Sequence, residues 1–296
     1  MDSLSGISVF VQVADTRSFL EAGRLLGISS SAVGKSVARL EQRLGVRLFH
    51  RNTRSIALTA EGGLFLARCR RILNEVDAAE AELLGASDAP RGRLRVSMPQ
   101  LPSLMMPVLD GFMQSYPDIE LDIDMSDRMV DIVEEGFDAV IRTGMQHDSR
   151  LVAKRLGTCP QLLVAAKDYL ERHGEPETPR DLTRHACLRH KFNVTGKLEL
   201  WPLRRNDEEE EFAIPETMIV STVDAIAYAA IEGRGIAFLP NFLVRDALRR
   251  GQLRIVLADY VNQQVTFRIM WPASRYAAPK LRALIDYVTE HLDIEG

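Results

Sequence analysis

The chain has 296 residues, of which 46% are hydrophobic and 26% are charged, and its formal net charge is −4 at pH 7. This composition is that of an ordinary globular protein with enough apolar residues to bury a core. The absence of any run of about 18 apolar residues excludes a membrane-spanning helix, and the length suits two domains, or one large domain with an appendage.

The cysteines and the N-terminus both bear on where the protein resides. Cys69, Cys159 and Cys187 are far apart and odd in number, which predicts reduced thiols rather than a disulfide framework. The opening MDSLSGISVF contains an acidic residue and no basic region of the kind that begins a secretion signal. We therefore expect a cytoplasmic protein with no membrane partner.

A net charge of −4 by itself argues against nucleic-acid binding, but the charge is unevenly distributed. Residues 1–60 carry eight Arg or Lys and four Asp or Glu side chains, a net charge of +4. Residues 61–91 carry four bases and six acids, so the remainder carries −6. A small basic head on an acidic body is expected when only the head meets phosphate.

The basic head begins with two helices. Apolar residues at helical spacing from Leu4 onward predict a first amphipathic helix. Ser18 is placed to cap a second helix, in which Glu21 is its reciprocal capping-box partner. Gly27, which tolerates a positive φ, ends that helix. A third helix follows at once, and two short helices joined by a Gly-containing turn predict a helix-turn-helix.

The third helix carries small and basic side chains opposite an apolar stripe. Either Ser29 or Ser30 caps it. The predicted apolar stripe consists of Val33, Val37, Leu40 and Leu44. Ser31, Gly34 and Lys35 then face outward with Ser30, where hydroxyl and backbone N–H groups can reach base edges and phosphates.

After Gly45, the segment VRLFHRNTRSIALT reads as a two-stranded wing whose tip, RNTR, suits the minor groove or adjacent phosphates. The wing residues predicted to pack inward are Val46, Leu48 and Phe49. A capped helix pair with a serine-rich turn is equally typical of plain helical packing, but the turn, the basic face and the basic tip in this order favour DNA binding. The expected DNA contacts are Ser29, Ser30, Ser31, Gly34, Lys35, Arg39, Arg51, Asn52, Thr53 and Arg54.

Residues 59–90 read as one long helix followed by a short hinge. The stretch from Thr59 to Gly85 contains no proline, and its apolar residues recur in steps of four and three, as along a coiled-coil seam. The seam residues are Phe65, Cys69, Ile72, Val76, Ala79 and Leu83. The alternative is a core helix packed on its own domain, but a head that reads one half-site requires a dimerising helix.

Residues 92–296 alternate strand and helix signals, which predicts βαβ units and a mostly parallel sheet with covered faces. The first set runs through RLRVSM, MMPVLDGFMQSY, IELDIDM, VDIVEEG and DAVIRTG, and a second set follows RLGTCPQLLVAA. The final VTFRIMWP and a helix from Pro279 can return to the first set. The pattern indicates two α/β lobes linked by two crossings, with a cleft between them.

The whole chain resembles the LysR-type transcriptional regulators. The segment from Phe10 to Gly62 is similar to their winged helix-turn-helix, and LDIDMSDRMVDIVEEGFDAVIRTG and DAIAYAAIEGRGIAFLP resemble signatures of their periplasmic-binding-protein-like effector domain. The resemblance implies an α/β protein with three parts. These are a winged helix-turn-helix at 1–58, a coiled-coil dimerisation helix and hinge at 59–90, and an effector domain at 91–296. Lobe I is expected at about 91–161 and 267–296, and lobe II at about 162–266.

The resemblance also implies effector-binding positions at strand ends and at one helix N-terminus. They are Ser97, Pro99, Gln100, Ser126, Arg142, Thr143, Gly144, Ser221, Thr222 and Val223. Alternatives stay open for several: Ser221 and Thr222 can simply cap their helix with Asp224, and Arg142 can be a carboxylate clamp or an inter-lobe ion pair. This chain departs from the family's pattern at Ser30, Ser31 and Gly34, which bears on the operator, and at Met98 and Gln100, which bears on the ligand.

Other chemistry has little support in the sequence. His185, Cys187 and His190 offer three metal-ligand types within six residues, but a fourth ligand is missing and the neighbours are basic. The Gly-x-Gly of EGRGIAF precedes a strand instead of following one, and DEEEEF reads as a solvated acidic loop. We expect no catalytic residues, no metal and no cofactor.

The sequence thus predicts a DNA-binding regulator, not an enzyme, whose activity depends on a small effector, a carboxylate by expectation. Its predicted partners are double-stranded DNA, the effector and further copies of itself, as a homodimer and a dimer of dimers (homotetramer); RNA polymerase is an additional candidate. Two alternatives remain: an enzyme or transport-type binding protein with an incidental head, and a constitutive repressor with an unoccupied cleft.

Overall fold

A computed structural model describes residues 2–52, 55–83, 90–132, 134–144, 150–205, 208–209, 213–273 and 278–294. The chain divides into two units. The first comprises Met1–Ala89, Asp131–Phe137 and Ser274–Pro279, and the second comprises Pro90–Val130, Asp138–Ala273 and Lys280–Gly296. None of the described helices is long and apolar enough to cross a membrane.

The first unit contains the three predicted helices, the wing and a long helix. Its elements are α1 (Asp2–Thr16), α2 (Phe19–Leu26), α3 (Ser30–Leu44), β1 (Phe49–Asn52), β2 (Ser55–Leu58) and α4 (Ala60–Leu83). As predicted, α2 is capped by Ser18, whose Oγ accepts from the N–H of Glu21 at 3.2 Å, and it ends at Gly27 with φ of 66°. The Glu21 carboxylate binds Arg24 at 2.6 Å instead of completing the capping box.

The core of the first unit is built around three aromatic rings. The Phe10 ring centroid lies 5.3 Å from those of Phe49 and Phe65, and Cys69 is fully buried in the same cluster. Phe65 and Cys69, predicted to form the start of a dimer seam, instead pack inside their own head. Ile72 is the first predicted seam residue that is well exposed, at 43%.

Two residues predicted to face inward are exposed, namely Leu44 at 38% and Val46 at 42%. Leu44 is the last residue of α3, and Gly45 follows with a left-handed φ of 72°. The chain therefore turns away from the helical stripe before either side chain can reach the core.

The second unit is a mixed α/β structure. Its helices are α5 (Pro102–Ser115), α6 (Lys167–His173), α7 (Val223–Ile231), α8 (Asn241–Arg249) and α9 (Pro279–His291). Its strands are β3 (Gly92–Met98), β4 (Ile119–Met125), β5 (Ala139–Thr143), β6 (Leu151–Ala166), β7 (Cys187–His190), β8 (Arg204–Arg205), β9 (Glu208–Glu209), β10 (Met218–Val220), β11 (Ile236–Pro240), β12 (Leu253–Ile255) and β13 (Gln264–Pro272).

One continuous sheet runs through both lobes in the order β10-β7-β11-β6-β13-β5-β3-β4, with β12 also paired to β6. Strands β3, β4 and β5 are parallel, as are β7, β10 and β11. The two crossing strands β6 and β13 are antiparallel to each other and to their other neighbours. The sheet is therefore more mixed than predicted, because each crossing strand belongs to both lobes.

The sequence-based prediction did not include α8 and β12, and it assigned a helix to one segment that is not helical. VDIVEEG, Val130–Gly136, was expected to be helical, but its described residues form turns, in which Asp131 Oδ1 accepts from the Glu134 N–H at 2.8 Å. Local side-chain hydrogen bonding of this kind competes with a helical backbone.

Candidate functional site

Helix α3 presents the residues that the sequence assigned to DNA. Ser29 caps it, because its Oγ accepts from the Ala32 N–H at 3.2 Å. Val33 and Val37 are fully buried on the inner side. The exposed side chains are those of Ser29, Ser30, Ser31, Lys35 and Arg39, whereas Gly34 is half-buried. The helix therefore carries hydroxyl and basic groups outward from a fixed apolar base.

The wing is an antiparallel pair with register from Phe49 opposite Leu58 to Asn52 opposite Ser55. The backbone of Arg51 and Asn52 therefore lies in β1, while Thr53 and Arg54 lie outside the described residues.

A buried acid, which the sequence analysis missed, fastens the wing to α3. Oε1 of Glu41 accepts from the N–H groups of Leu48 at 2.9 Å and Phe49 at 3.2 Å. Just after β2, Thr59 Oγ1 donates to the Arg47 carbonyl at 2.7 Å. These bonds fix the position of β1 relative to α3, since the backbone N–H groups at the start of β1 have an acceptor on that helix.

The second unit contains a cleft of about 300 Å³. Its described lining consists of Pro99, Gln100, Leu101, Asp127, Met129, Arg142, Thr143, Gln161, His190, Phe192, Glu199, Ser221, Thr222, Val223, Pro240, Val265 and Phe267. Eight of these 17 residues are apolar and nine are polar or charged, so the cleft offers both apolar surface and hydrogen-bonding groups to a small organic molecule.

Seven of the ten positions assigned to the effector line this cleft: Pro99, Gln100, Arg142, Thr143, Ser221, Thr222 and Val223. Ser97, Ser126 and Gly144 are not part of its described lining. Ser97 points into the interior, where it is fully buried and bonded to Arg142. Ser126 Oγ accepts from the Arg128 N–H at 3.3 Å, and Gly144 has no side chain and sits in a left-handed turn with φ of 84°.

Arg142 is a buried wall residue of the cleft. Its Nη2 donates to Ser97 Oγ at 2.6 Å and to the Arg128 carbonyl at 3.2 Å, and its Nη1 donates to the Ile141 carbonyl at 2.7 Å. These three hydrogen bonds all end within lobe I. Much of the donor capacity of the guanidinium is therefore engaged in holding the wall together.

The N-terminus of α7 offers polar groups to the cleft. Thr222 is the N-cap residue, yet its side chain makes no capping hydrogen bond, and Ser221 precedes it on the cleft lining. The predicted capping role for Thr222 is therefore not realised. A helix N-terminus favours an anion, and Ser221 and Thr222 place polar groups of the cleft lining at such a terminus.

Ten lining residues were not predicted from the sequence, among them Gln161, His190, Phe192 and Glu199. Gln161 Nε2 donates to Glu199 Oε1 at 3.3 Å, and His190 Nδ1 lies 3.3 Å from Glu199 Oε2, too poorly angled for a hydrogen bond. No sequence motif marks these residues, because a strand, a strand end and a loop bring them together.

In the sequence, His190 was considered only as one of three candidate metal ligands, with His185 and Cys187. The three residues have different surroundings, since Cys187 lies in the lobe II core, His185 Nδ1 lies 3.2 Å from the Tyr169 hydroxyl, and His190 lines the cleft. Burial lowers the pKa of His185 and raises the pKa of the Cys187 thiol to about 12. Among the described residues, no three His, Cys, Asp or Glu side chains are grouped to hold a metal ion.

Comparison with known proteins identifies both parts. Residues 4–63 match the family model for the bacterial regulatory helix-turn-helix protein, lysR family, and residues 87–293 match the LysR substrate binding domain. The chain belongs to the LysR family of transcriptional regulators. LysR-type proteins are DNA-binding regulators rather than enzymes, and their head and effector domain correspond to the helix-turn-helix and the cleft-bearing unit described above.

Full-length relatives extend over nearly the whole chain. The uncharacterized HTH-type transcriptional regulator YcaN of Escherichia coli K12 is 35% identical over 97% of this chain and 94% of its own length. The structure of CrgA, a LysR-type regulator from Neisseria meningitidis, shares 31% identity with a TM-score of 0.63, covering 98% of both chains. The Vibrio cholerae virulence activator AphB shares 27% identity with a TM-score of 0.62, covering 98% of this chain and 99% of its own.

Proposed function

We propose that this LysR-type regulator binds specific double-stranded DNA through α3 and the wing, and that a small carboxylate bound in the cleft modulates this binding. The observation that carries the proposal is the cleft itself, in which apolar walls surround the open N-terminus of α7. Carboxylates bind at such helix ends because free N–H groups and the helix dipole both favour negative charge.

The DNA-binding part of the proposal assigns two roles to the head. Lys35, Ser31 and neighbouring groups on α3 contact base edges in the major groove, and the basic wing tip contacts phosphate or the minor groove. The net charge of +4 on residues 1–60 supports this assignment, since phosphate neutralisation supplies much of the affinity.

The proposed assembly is a homodimer that pairs through α4 beyond the part buried in the head, starting near Ile72. Two heads then reach two half-sites of a pseudo-palindromic operator in the cytoplasm. A dimer of dimers would extend the contact to further sites, and RNA polymerase is the partner through which an activator would act. Effector binding alters transcription only if the ligand has different affinities for two arrangements of this assembly.

A gel-shift titration tests the proposal on the promoter region beside the chain's own gene, at two salt concentrations and with random competitor DNA. We expect tight, salt-sensitive and competitor-resistant binding. In parallel, the melting temperature of the full chain is measured with a panel of aromatic and aliphatic carboxylates, since a ligand that binds the folded state raises it. Binding no tighter than to random DNA, with and without every carboxylate that raises the melting temperature, would contradict the proposal.

A further inference from the structure

We propose that the ligand of the cleft carries an amino group as well as a carboxylate, and that Glu199 and Gln161 recognise its ammonium. This inference rests on the proposed function, because it assigns the second end of the same ligand. We call Gln161, His190 and Glu199 the acceptor end of the cleft.

The charge balance of the cleft does not suit a simple anion. Asp127 and Glu199 contribute two carboxylates to the described lining, against one guanidinium from Arg142. Arg142 is already engaged with Ser97 and with the carbonyls of Ile141 and Arg128. A ligand with only negative charge would meet two carboxylates and one guanidinium, whereas a zwitterion would match both signs.

Two hydrogen bonds hold the backbone of Glu199, and its carboxylate can accept further hydrogen bonds. Its backbone N–H donates to the His190 carbonyl at 2.8 Å, and its own carbonyl accepts from Arg189 Nη2 at 2.9 Å. Its side chain is 18% exposed, and among the described residues Gln161 Nε2 donates to its Oε1 at 3.3 Å while His190 Nδ1 lies 3.3 Å from its Oε2. Because a carboxylate provides about four acceptor positions, both oxygens can take a further donor from a ligand.

Gln161 supplies an acceptor that the described protein leaves unused. The residue is 6% exposed, and its Oε1 is buried with no hydrogen-bond partner among the described residues. A carboxylate can only accept, so Glu199 fixes the amide with nitrogen toward itself and oxygen away. A buried acceptor without a donor is unfavourable, and a ligand N–H at this position would satisfy it.

The acceptor end lies where β6 changes partner. Pro160 is paired with Gln264 of β13, and the next residue, Gln161, is paired with Pro240 of β11. The Gln161 N–H donates to the Gln263 carbonyl at 2.8 Å, so its backbone is fixed by both strands. The unused Oε1 therefore belongs to a rigid part of the sheet.

The neighbouring ring favours an ammonium over a neutral donor. Phe192 lines the cleft with 41% of its surface exposed, and its centroid lies 4.9 Å from that of His190. Phe192 and Glu199 both line the cleft, and an aromatic ring and a carboxylate each attract a cation, the ring through its quadrupole and the carboxylate through its full charge. Two oxygen acceptors and one ring thus form a small cation-binding corner, opposite in sign to the N-terminus of α7.

The test compares matched probes by isothermal titration calorimetry on the full chain. The aromatic set is 4-(aminomethyl)benzoate, 4-methylbenzoate and 4-methylbenzylamine, and the aliphatic set is 6-aminohexanoate, hexanoate and hexylamine. We expect an amino-bearing carboxylate to bind about tenfold or more tightly than its plain counterpart, as for a hydrogen bond to a charged group.

Variants then locate the source of the preference. Glu199→Gln removes the charge with little change in shape, and Gln161→Met removes the acceptor while leaving Glu199 intact; both should reduce the preference for the amino-bearing probe. The matched control is Glu290→Gln, which removes the charge of an exposed glutamate on α9 and should leave the preference unchanged. The melting temperature of each variant without ligand, compared with that of the wild type, confirms that it is folded.

The outcomes separate this inference from the proposed function. If plain carboxylates bind as tightly as their amino-bearing counterparts, or if Glu199→Gln retains the preference, the inference is overturned while the proposed carboxylate cleft stands. If the plain amines bind as tightly as the amino-bearing carboxylates, the carboxylate assignment is overturned. If no probe binds, both the carboxylate cleft and the inference fail, and the gel shift still decides DNA binding.

Discussion

Nη2 of Arg142 donates to the Ser97 hydroxyl across 2.6 Å, which links the end of β5 to the neighbouring strand β3. Both residues had been assigned to the ligand, yet this bond lies in the interior, where Ser97 is fully buried and Arg142 is 7% exposed. The pair supports the wall of the cleft from behind, so its contribution to stability should exceed its contribution to ligand contact.

Replacing Arg142 should therefore destabilise the fold. Arg142→Met leaves the Ser97 hydroxyl and two carbonyls without their donor, and we expect a loss of about 3 kcal/mol in the free energy of unfolding. Ser97→Ala should cost about 1 kcal/mol. Urea denaturation measures both, with the exposed Arg250→Met as control, and equal stability of the Arg142 and Arg250 variants would show that the buried network does not support the wall.

Two adjacent glycines of α4 should respond oppositely to alanine. A Cβ on Gly62 would lie 2.0 Å from the Leu48 carbonyl oxygen, whereas one on Gly63 would meet nothing within 4 Å. The Leu48 carbonyl also accepts from the Thr59 N–H at 3.0 Å, so it cannot move freely. We expect Gly62→Ala to lower the free energy of unfolding by about 2 kcal/mol or more.

Gly63→Ala is the matched control and should raise stability by up to about 1 kcal/mol through helix propensity. Thermal denaturation measures the melting temperatures of the two variants. If Gly62→Ala melts at or above the temperature of Gly63→Ala, the wing is able to shift away from α4.

The three thiols should be unreactive in the folded protein. Burial raises the pKa of Cys69 and of Cys159 to about 11, and that of Cys187 to about 12. Only the thiolate reacts readily with Ellman's reagent, so we expect negligible labelling at pH 8 and release of three equivalents on unfolding in urea. Rapid labelling of the native chain at pH 8 would show that a thiol is accessible.

The raised pKa values of the three thiols should also lower the free energy of unfolding in alkaline solution. Below about pH 8, one unit under their ordinary pKa of 9.0, these thiols are largely protonated in both the folded and the unfolded states and contribute almost no pH dependence. Between pH 9 and about 11 the unfolded thiols ionise while the buried ones remain protonated, so the free energy of unfolding should fall as pH rises. Denaturation of a variant with Cys69, Cys159 and Cys187 replaced by Ala should show a shallower decline over this range.

The wing tip should contribute charge rather than sequence preference. Removing Arg51 and Arg54 together by alanine substitution should weaken binding about equally on all sequences and reduce the salt slope by about 2. Arg249→Ala with Arg250→Ala removes the same charge from the exposed end of α8 as a control. A salt slope that equals that of the control would show that the wing tip does not touch phosphate.

Lys35 should instead contribute sequence preference. It is exposed one turn after the start of α3, where side chains of a recognition helix meet base edges. Selection of preferred operators from a randomised pool should give a different consensus for Lys35→Ala than for the wild type. Identical consensus sequences would remove this residue from base readout.

Local rules predicted the head well because its signals are short-range. The serine caps and the left-handed Gly27 depend on neighbours within a few residues and were found where predicted. Leu44 and Val46 were misplaced because a turn between them ended the helical periodicity. Phe65 and Cys69 fit a coiled-coil spacing and a head core equally well, and spacing alone cannot tell which surface an apolar stripe meets.

The cleft was only partly predictable because its two ends arise differently. The α7 end follows from a helix start, which leaves a signal in Ser221 and Thr222. The acceptor end depends on Gln161, Glu199 and His190, which are separated along the chain and meet through the order of strands. Ser97 was wrongly expected to contact the ligand. It lies near the end of a strand, but the alternation of side chains along the strand directs it into the interior.

The antiparallel ribbon of β6 and β13 carries the sheet from one lobe to the other, with a register shift between Phe267 and Arg268. Phe267 lines the cleft, and Gln161 lies where β6 changes its pairing partner from β13 to β11. Because β6 and β13 are hydrogen-bonded to each other along the ribbon, a change in the angle between the lobes would have to twist or bend both strands together. A ligand that contacts Phe267 and Gln161 would therefore touch the two strands that such a change deforms.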